Sequence, residues 1–484
     1  MTSPLLLYIY PWPYLLETLI DMNSDFISID HDDNIQQYKQ GDLIKQFKLN
    51  QYSMPKSNIE LTRQVMNGLD SYSPIFSRWL HNGHFHENNK ELYSFKVIRL
   101  IKLIEDFNIH KGFFPTGVSH HLDTYTFELA LSLTNKKMIF LYAEAIGGRL
   151  LPCVQNGDIS TKKRLNICVS NFSFDRLIDN LTARNMIQPR RTISQYIYNY
   201  FKTNLLFSIF YLTFRKIKRI LARYYSKFFL NKHHSRQSDY FSESSLSDLQ
   251  LVLNQKKFLD NYNHRSINLN ELDASKKSLI VYSHYQPEAT SFPESGRIYS
   301  HLHIISHLRS IGFQDVIYYK EHPGSKYFIE GGPADRFVTA PTRVGMNRSL
   351  EYNEQLINLN CKILPINSNL KDYHNFLPLT LTGSIALERA LRGLHTLYTG
   401  YPWWHGLPGT INLFDLAHPF VSISDDWITP SQKLASEARS FLLKTLNNKT
   451  IENGLGVGIQ MKLNTSIQFR TELVNLLKSL EESD

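Results

Sequence analysis

The sequence predicts an α/β fold with parallel sheets, and three observations support this class. A strand–helix–strand unit occupies part of the first third of the chain, with strands at Gly112–Pro115 and Lys137–Tyr142 joined by a helix that ends near Leu133. A second apolar run, Leu379–Leu381, enters a helix through small residues. At 484 residues, the chain is long enough for two or three domains, each with a full core.

The first domain begins with short elements. Leu5–Tyr10 and Phe26–Ile29 are predicted strands, and Tyr14–Asp21 is a predicted helix between them. Asp30–Asp33 follows the second strand, and a carboxylate pair there could hold a divalent metal beside a sugar nucleotide. An acidic turn is the favoured interpretation, because the sequence shows no nucleotide pocket nearby. Residues 43–91 are polar with scattered aromatics and are predicted to form helices and loops.

Composition indicates a globular protein with a packed core, since 42% of the residues are apolar and 13% are aromatic. Cys153, Cys168 and Cys361 lack metal-ligand spacing, which favours a reducing compartment without a disulfide framework. The first ten residues lack the basic region and cleavage site of a signal peptide. No apolar run reaches the roughly 18 residues that a membrane span needs.

The stretch Leu379–Gly393 carries the strongest local signal. A strand ends in Thr382-Gly383-Ser384, and a helix is predicted to follow, with Ser384 as its N-cap and Gly393 as a left-handed cap at its end. Unpaired amides at such a helix start attract anions, and Glu388 could accept from a sugar hydroxyl. An ordinary capped helix in an α/β domain explains this stretch equally well.

Two further strands end in polar residues upstream. Val316–Lys320 leads into Glu321, His322 and Pro323, and proline stops the strand. Leu279–Tyr285 leads into the polar stretch Gln286–Thr290. Ligands of open α/β sheets bind at the carboxyl ends of the strands, so three strand ends mark one side of this domain as a place for a nucleotide.

These residues also carry a resemblance. Tyr285–Thr290 (YQPEAT), Lys320–Pro323 (KEHP) and Thr382–Glu388 (TGSIALE), in that order, resemble motifs of the bacterial capsule polysaccharide biosynthesis family, which includes Kdo transferases and is related to bacterial sialyltransferases. The match extends roughly over Leu279–Leu416, with a looser one around Gly112–Pro152. The family implies a GT-B fold, in which two Rossmann-like domains face a central cleft. It also implies an inverting, metal-independent transfer, usually from a CMP-activated sugar.

The resemblance assigns roles in the second domain to eight residues, as expectations. His322 would bind the donor phosphate and Lys320 would add positive charge, while Glu388 would reach the ribose. The remaining assigned residues would hold the phosphates with the helix amides or line the cleft: Thr382, Gly383, Ser384, Gln286 and Glu288. Such preorganised donors stabilise a leaving nucleotide without a metal or other cofactor.

Two positions depart from the family pattern. The family usually has a small residue where this chain has Arg389, and a Gly-Lys-Pro-like turn where it has Gly393–His395. Further on, the aromatics of Tyr401–Gly406 could stack on a sugar or base, or pack under a loop.

An inverting transfer to a hydroxyl needs a base for the acceptor proton. Glu144 is the first candidate, because it follows the strand Lys137–Tyr142 and precedes two glycines that allow close approach of a ligand. Asp123 and His120 are the alternatives. A strand-end glutamate that is solvated or paired with Arg149 is the competing interpretation of Glu144.

The stretch 184–236 contains about a dozen Lys and Arg residues and no acid, within a total formal charge of +9. Apolar residues alternate with these cations at helical spacing, which predicts a helix at about 204–235 lying in an anionic membrane interface. A long interdomain helix with an aromatic core face is the alternative. Binding of an anionic polysaccharide or nucleic acid comes next, although the local character of the charge argues against a general nucleic-acid surface.

The sequence therefore predicts four regions: an N-terminal Rossmann-like acceptor domain (1–180), a basic and aromatic helical insertion with linker (181–275), a C-terminal Rossmann-like nucleotide-sugar domain (276–430), and helices that cross back to the first domain (431–484).

The leading functional hypothesis is a metal-independent, inverting glycosyltransferase. It would add a CMP-activated, Kdo- or sialic-acid-like sugar to a polysaccharide or glycolipid acceptor in capsule or lipopolysaccharide biosynthesis. The enzyme would be cytoplasmic and peripheral at the inner face of the bacterial plasma membrane, with no nucleic-acid partner. A CDP-alcohol-dependent polyol-phosphate transferase and a non-catalytic membrane-docked scaffold are the alternatives.

Overall fold

The computed structural model describes residues 5–8, 13–30, 33–53, 59–71, 87–114, 122–143, 149–155, 163–164, 178–179, 200–225, 248–273, 276–284, 300–329, 348–368, 370, 375–400, 402–416, 418–449, 451–452 and 474–477. The chain divides into two compact units. Unit 1 comprises Met1–Phe76, His84–Ile178 and Ser440–Asp484, and unit 2 comprises Ser77–Gly83 and Asp179–Arg439.

Helices and strands alternate along most of the described chain. The helices are α1 (Pro13–Asp21), α2 (Ile59–Ser71), α3 (Glu87–Asp106), α4 (Leu122–Leu133), α5 (Leu205–Tyr225), α6 (Asp248–Arg265), α7 (His301–Ser310), α8 (Leu350–Asn358), α9 (Ile385–Ala390), α10 (Asp425–Ile428) and α11 (Gln432–Lys449). The strands of unit 1 are β1 (Leu5–Tyr8), β2 (Phe26–Ile29), β3 (Asn34–Lys39), β4 (Asp42–Lys48), β5 (Lys111–Phe114), β6 (Lys137–Ala143), β7 (Arg149–Gln155), β8 (Lys163–Arg164) and β15 (Ile451–Glu452). The strands of unit 2 are β9 (Ser278–Tyr282), β10 (Val316–Lys320), β11 (Cys361–Leu364), β12 (Phe376–Thr380), β13 (Thr396–Tyr398) and β14 (Thr410–Asn412).

The sheet of unit 1 is parallel at its centre and antiparallel at both sides. Its strands lie in the order β15-β7-β6-β5-β1-β2-β3-β4, with β8 beside β7. β6, β5, β1 and β2 run parallel, whereas the outer pairs are antiparallel. All four residues of β2 are buried, as expected of a central strand covered on both faces. The predicted strand–helix–strand unit is confirmed as β5, α4 and β6.

The hairpin β3–β4 corrects the prediction of helices and loops for residues 43–91, since β4 extends to Lys48 and pairs with β3. Gln40 and Gly41 both have positive φ, which is the backbone of the two-residue turn that suits a hairpin. β4 is exposed at nearly every position. A strand exposed on both faces has no apolar alternation, and periodicity therefore did not find it.

The sheet of unit 2 consists of six described strands in the order β11-β10-β9-β12-β13-β14, and all neighbours are parallel. In chain order this is the 3-2-1-4-5-6 arrangement of dinucleotide-binding folds. Leu279 and Val281 of β9 join a large buried core with α7, while Ile280 packs in a smaller cluster on the other face. The predicted α/β class, with a parallel-rich sheet in each of two parts, is confirmed.

Helix α9 is shorter than predicted. It covers only Ile385–Ala390, and a turn follows in which Gly393 has a φ of +73°. The left-handed conformation predicted for Gly393 is confirmed, and the amide of Leu394 donates to the Arg389 carbonyl across it. Ser384 stands at the predicted N-cap position, but it has helical backbone angles and makes no capping hydrogen bond through its side chain.

The acidic turn after β2 is held by its own residues. The Asp30 carboxylate accepts from the amide of Asn34 at 2.9 Å and from the Asn34 side chain at 2.7 Å. Asp33 forms an ion pair with Lys96 of α3 at 2.5 Å. Among residues 30–33, His31 and Asp32 lie outside the described residues. The carboxylates of Asp30 and Asp33 thus fix the β2–β3 turn, in agreement with the interpretation of a turn.

The basic stretch contains one described long helix, α5, which is a helix as predicted over Leu205–Tyr225. Asn204 caps it, because its side chain accepts from the amide of Phe207 at 3.0 Å. Within the described chain, no helix combines the length and the apolar character needed to span a bilayer.

Candidate functional site

The polar strand ends of unit 2 meet at one edge of its sheet. β9 lies between β10 and β12, and all three strands run parallel. Lys320 is level with Tyr282 in this register, so Glu321 and His322 leave the sheet beside Ser283 and His284. The 3-2-1-4-5-6 order reverses between β9 and β12, and ligands of open α/β sheets bind in the crevice at such a reversal. The candidate site therefore lies at the carboxyl ends of these three strands.

Ser283 joins the ends of β9 and β10. Its amide donates to the Lys320 carbonyl at 2.9 Å, and its hydroxyl donates to the Glu321 carboxylate at 2.6 Å. The same hydroxyl accepts from the amide of His322 at 2.8 Å. Ser283 thus fixes the backbone on both sides of Glu321, through its amide on one side and its hydroxyl on the other.

His284 joins the ends of β9 and β12. Its Nε2 atom lies 3.4 Å from the amide of Thr382, which donates to it, and 3.3 Å from the Thr382 hydroxyl. His322 and Thr382 follow two strands that β9 separates, and they are thereby connected through Ser283 and His284. The structure brings the second and third sequence motifs together at one edge, as the sequence predicted.

A buried ion pair underlies this edge. Arg348 Nε donates to Glu321 at 2.6 Å, and both side chains are almost fully removed from solvent. Glu321 also accepts from Tyr319 at 3.0 Å and from the Ser325 hydroxyl at 3.0 Å. Burial alone would raise the pKa of Glu321, but Arg348 and the hydrogen bonds from Ser283 and the His322 amide outweigh it and hold the pKa below its ordinary value. Glu321 is therefore an ionised structural group.

The tautomer of His322 follows from its own turn. Pro323–Lys326 forms a short 3₁₀ helix, and the amide of Gly324 donates to His322 Nδ1 at 3.0 Å. An accepting Nδ1 leaves the proton of the neutral ring on Nε2. Burial lowers the pKa of His322, Lys320 and Arg348 act in the same direction, and Glu321 opposes them. His322 is thus a neutral imidazole that presents an N–H donor.

His284 and His301 form a pair of neutral imidazoles behind the edge. The amide of His284 donates to His301 Nε2 at 3.3 Å, and the two rings stack with centroids 5.9 Å apart. Burial lowers the pKa of His284 to about 3, with His322 and Arg348 adding to the effect. Burial likewise lowers the pKa of His301. Neither Nδ1 atom has a hydrogen-bond partner in the described part of the chain.

The ammonium group of Lys320, predicted to add positive charge at the donor phosphate, is held by contacts within the protein. Its Nζ donates to the carbonyl of Ile366 at 3.0 Å, and it lies over the ring of Tyr282 with a 6.0 Å separation from the centroid. Burial lowers the pKa of Lys320 to about 8, against the opposing effect of Glu321. The ammonium group remains charged at neutral pH, and its charge acts on the neighbouring His322 ring.

The turn after β12 offers fewer free amides than the sequence suggested. The amide of Thr382 donates to His284, and the amide of Gly383 donates to the Thr380 hydroxyl at 3.0 Å. A Cβ atom on Gly383 would lie 2.5 Å from that hydroxyl, which explains the glycine. Ser384 is exposed, and α9 is too short to supply a strong helix dipole.

The departure at Arg389 is structural. The side chain is buried, its guanidinium donates to the carbonyl of Phe376 at 2.8 Å, and it stacks over the Phe376 ring. Phe376 begins β12, so Arg389 ties α9 to the amino end of that strand, opposite the candidate site. Its neighbour Glu388 is half-buried. Burial raises the pKa of the Tyr282 phenol, Arg389 opposes this, and Glu388 adds a small increase.

The aromatics after β13 pack in the protein. Trp403 and Trp404 are buried, and the Trp404 ring meets Tyr398 edge-on with centroids 5.0 Å apart. The interpretation of Tyr401–Gly406 as packing is therefore confirmed for both tryptophans. Tyr401 lies outside the described residues.

Several predicted site residues are not described. Glu144, His120, Gln286 and Glu288 lie outside the described residues, and Asp123 is described only as a backbone position in the first turn of α4. Their assignments stay predictions.

Sequence reasoning missed four residues that build the edge: Ser283, His284, Glu321 and Arg348. The first three were visible as strand-end polar residues next to residues that were selected. Arg348 had no such signal, since it is 27 positions from its partner Glu321 and precedes α8 rather than following a strand.

Comparisons with known proteins add little. No protein-family model and no curated protein matches the chain, so the resemblance to the capsule family rests on the three motifs. Among solved structures, the chain is similar to KpsC, the beta-Kdo 2,7 transferase of Thermosulfurimonas dismutans, with 12% identity over 70% of this chain and 79% of that chain and a TM-score of 0.28. It is also similar to the UDP-GlcNAc 2-epimerase of Methanocaldococcus jannaschii, with 10% identity over 98% of this chain and 99% of that chain and a TM-score of 0.19. TM-scores of this size do not indicate what this chain does, and the functional proposal depends on its own residues.

Proposed function

We propose that this chain is an inverting glycosyltransferase that uses a nucleotide-activated sugar, with a CMP-linked, Kdo- or sialic-acid-like sugar as the donor. The observation that carries the proposal is that the turns after β10 and β12, which hold His322 and Thr382, leave the sheet at one edge and are joined through Ser283 and His284 where the strand order of unit 2 reverses. Lys320 ends β10 at the same edge. A neutral imidazole N–H, an ammonium and a hydroxyl are suitable partners for a phosphate diester.

In the proposed reaction, an acceptor hydroxyl attacks the anomeric carbon of the donor sugar while the bond from that carbon to the phosphate oxygen breaks. The hydroxyl proton passes to a carboxylate or imidazole, for which Glu144, Asp123 and His120 are the candidates. The released nucleotide gains negative charge on its phosphate. His322 Nε2–H and the Lys320 ammonium stabilise that charge, and the protein itself thus supplies the role that a divalent metal has in other transferases.

The buried network explains why His322 is already oriented before the donor arrives. Glu321 and Ser283 hold the amide of His322, and Gly324 holds its Nδ1 atom. Preorganised donors require no rearrangement as charge develops, which is the condition for large electrostatic stabilisation of a transition state.

We place this activity in capsule or lipopolysaccharide biosynthesis, at the inner face of the bacterial plasma membrane, where lipid-linked or polysaccharide acceptors are extended. The three motifs that resemble the capsule family and the basic helix α5 support this placement.

Release of CMP from candidate CMP-sugars tests the proposal. We expect release that persists in chelator and falls about a hundredfold or more in His322→Ala, because a preorganised donor to the leaving group is lost. His322→Gln keeps an N–H donor and should retain part of the rate. His303→Ala is the matched control, since His303 is an exposed histidine on α7 of the same unit.

Two results would reject the proposal. Absence of both binding and consumption of nucleotide sugars would leave a scaffold role, and turnover of CDP-glycerol or CDP-ribitol instead of CMP-sugars would favour a polyol-phosphate transferase. Equal rates in His322→Ala and His303→Ala would remove His322 from the site.

A further inference from the structure

One face of helix α5 is committed to the core of unit 2. Leu212 belongs to the large buried core, and Ser208, one turn earlier, is fully buried. Leu205, Ile209 and Tyr211 pack against the same core from the flanks. This packing fixes the rotation of the helix about its axis.

The opposite face of α5 presents an apolar line to solvent. Leu206, Phe210, Phe214 and Ile217 are 77%, 70%, 57% and 52% exposed. The spacing of four, four and three residues places them on one face of the helix, and the line is about 16 Å long at 1.5 Å rise per residue. Four large apolar side chains in one exposed row are unusual for a surface helix, whose outer face is normally polar. This set of four residues is called the apolar line below.

Cations accompany the apolar line along the same helix. There is no acidic residue between positions 184 and 236 of the chain. Five positions in the second half of α5 carry Lys or Arg: Arg215, Lys216, Lys218, Arg219 and Arg223. At helical spacing, none of these positions falls in the row 206–210–214–217. Lys216 and Lys218 fall on either side of the row, whereas Arg215, Arg219 and Arg223 fall on the side of the helix that Ser208 and Leu212 occupy. The helix therefore has an apolar face flanked by basic positions, as helices in a membrane interface do.

The charge decides between the partners that an apolar row can take. Pairing of two copies through this face would bring two basic helices together, and the repulsion between them opposes a dimer. A nucleic acid would need the cations on the same face as the aromatic rings. An anionic bilayer satisfies both features at once, because its acyl boundary takes the apolar row and its headgroups take the cations.

We propose that Leu206, Phe210, Phe214 and Ile217 enter the boundary between headgroups and acyl chains of an anionic membrane, with α5 parallel to the membrane plane. This deepens the membrane placement in the proposed function, but it concerns binding alone and does not require sugar transfer.

Co-sedimentation of the full chain with vesicles tests the proposal. The probes are phosphatidylcholine vesicles and vesicles containing phosphatidylglycerol as well, at low and high salt. We expect binding to the anionic vesicles that weakens with salt, and at least about tenfold weaker binding for Phe210→Ser/Phe214→Ser, which removes apolar contact without changing charge. Leu43→Ser/Ile44→Ser is the matched control, because these two residues are 50% and 53% exposed on β4.

Equal loss of binding in both double variants, or unchanged binding in the α5 variant, would overturn the proposal. So would a concentration-dependent dimer of the wild type that Phe210→Ser/Phe214→Ser dissociates, since the apolar line would then be a protein interface. CMP release in the same preparations separates the two proposals. Vesicle binding without release rejects the transferase alone, and release without vesicle binding rejects the membrane surface alone.

Discussion

The two sheets of this chain both carry polar residues just after their parallel strands, but they treat those residues differently. In unit 1, Asp30 and Asp33 follow β2. Asp30 accepts hydrogen bonds within a local turn, and Asp33 forms a partly exposed ion pair with Lys96. In unit 2, Glu321 follows β10 and is buried with Arg348 beneath His322. The same sequence pattern thus produces a surface turn in one unit and a rigid buried network in the other.

The difference shows which polar strand ends indicate a site. A charged pair in contact with water contributes little to stability, and the Asp33–Lys96 pair of unit 1 holds only the turn to which it belongs. A buried, hydrogen-bonded ion pair orients the groups that bond to it. In unit 2 the backbone amide of His322 donates to Glu321 and to Ser283, which is itself bonded to Glu321. Burial and mutual bonding, rather than position after a strand, distinguish the candidate site from the acidic turn.

The largest expected change in stability comes from removing one partner of the buried ion pair, and the same change at the exposed pair of unit 1 is the comparison. Arg348→Met leaves the Glu321 carboxylate buried without its cation and should destabilise unit 2 by about 3–5 kcal/mol. Asp33→Asn should cost no more than about 1 kcal/mol, because its pair is partly exposed and asparagine tolerates the positive φ at this position. Hydrogen exchange of the β9 and β10 amides, compared with those of β2 and β3, measures both.

The double variant Glu321→Gln/Arg348→Met sharpens this comparison. It removes both charges, and it should recover much of the stability lost in Arg348→Met. A double variant as unstable as the single one would show that the pair acts through shape rather than charge, and would contradict the contrast between the two units.

Acid should destabilise unit 2 through its buried histidines. His284 and His301 have folded pKa values below the ordinary 6.5, so the unfolded chain takes up protons first as pH falls. Their stabilising effect is complete above about pH 6.5 and is lost as the pH falls below that, at about 1–2 kcal/mol for each histidine between pH 7 and 5. Thermal unfolding over this range measures the loss.

A histidine variant isolates this effect from other titrating groups. His301→Gln should reduce the dependence of stability on pH by about one proton, and a variant of the exposed His303, His303→Gln, is the matched control. Equal slopes for the wild type and His301→Gln would mean that His301 is charged in the folded protein.

Glycines near the two sheets provide a finer comparison. A Cβ on Gly383 would meet the Thr380 hydroxyl at 2.5 Å, and one on Gly112 would meet a Leu131 methyl group at 2.4 Å. Each alanine variant should lose about 1–3 kcal/mol by overpacking. Only Gly383→Ala displaces the hydroxyl that accepts the Gly383 amide, so it alone should weaken CMP binding, as measured by calorimetry. Equal affinities for CMP in Gly383→Ala and Gly112→Ala would show that the turn after β12 does not contact the nucleotide.

The sequence predicted local features well and partner-dependent ones poorly. Proline after a strand and a polar tripeptide before a helix are local signals, and the residues that they selected, His322 and Thr382, lie at the same edge of the sheet. The contacts of His284 with Thr382 and of Arg348 with Glu321 join residues 98 and 27 positions apart. Such contacts can be predicted only when the strand order is known. The predicted left-handed Gly393 is a local signal too, whereas the early end of α9 at Ala390 was not visible in the sequence.

The smallest expected effect concerns Lys320, whose charge is available to a phosphate only below a pKa of about 8. As the pH rises through this value the ammonium loses its proton, so affinity for CMP should fall by about fivefold. A bound phosphate raises the pKa of Lys320 in turn, and the decline should therefore level off at a higher pH rather than continue. Lys320→Met should bind more weakly at pH 7 and lack this step. Lys326→Met is the control, because its ammonium is exposed and contacts Asn367 at 3.2 Å. A step that persists in Lys320→Met but disappears in Lys326→Met would assign the titration to the turn after His322 instead of to the end of β10.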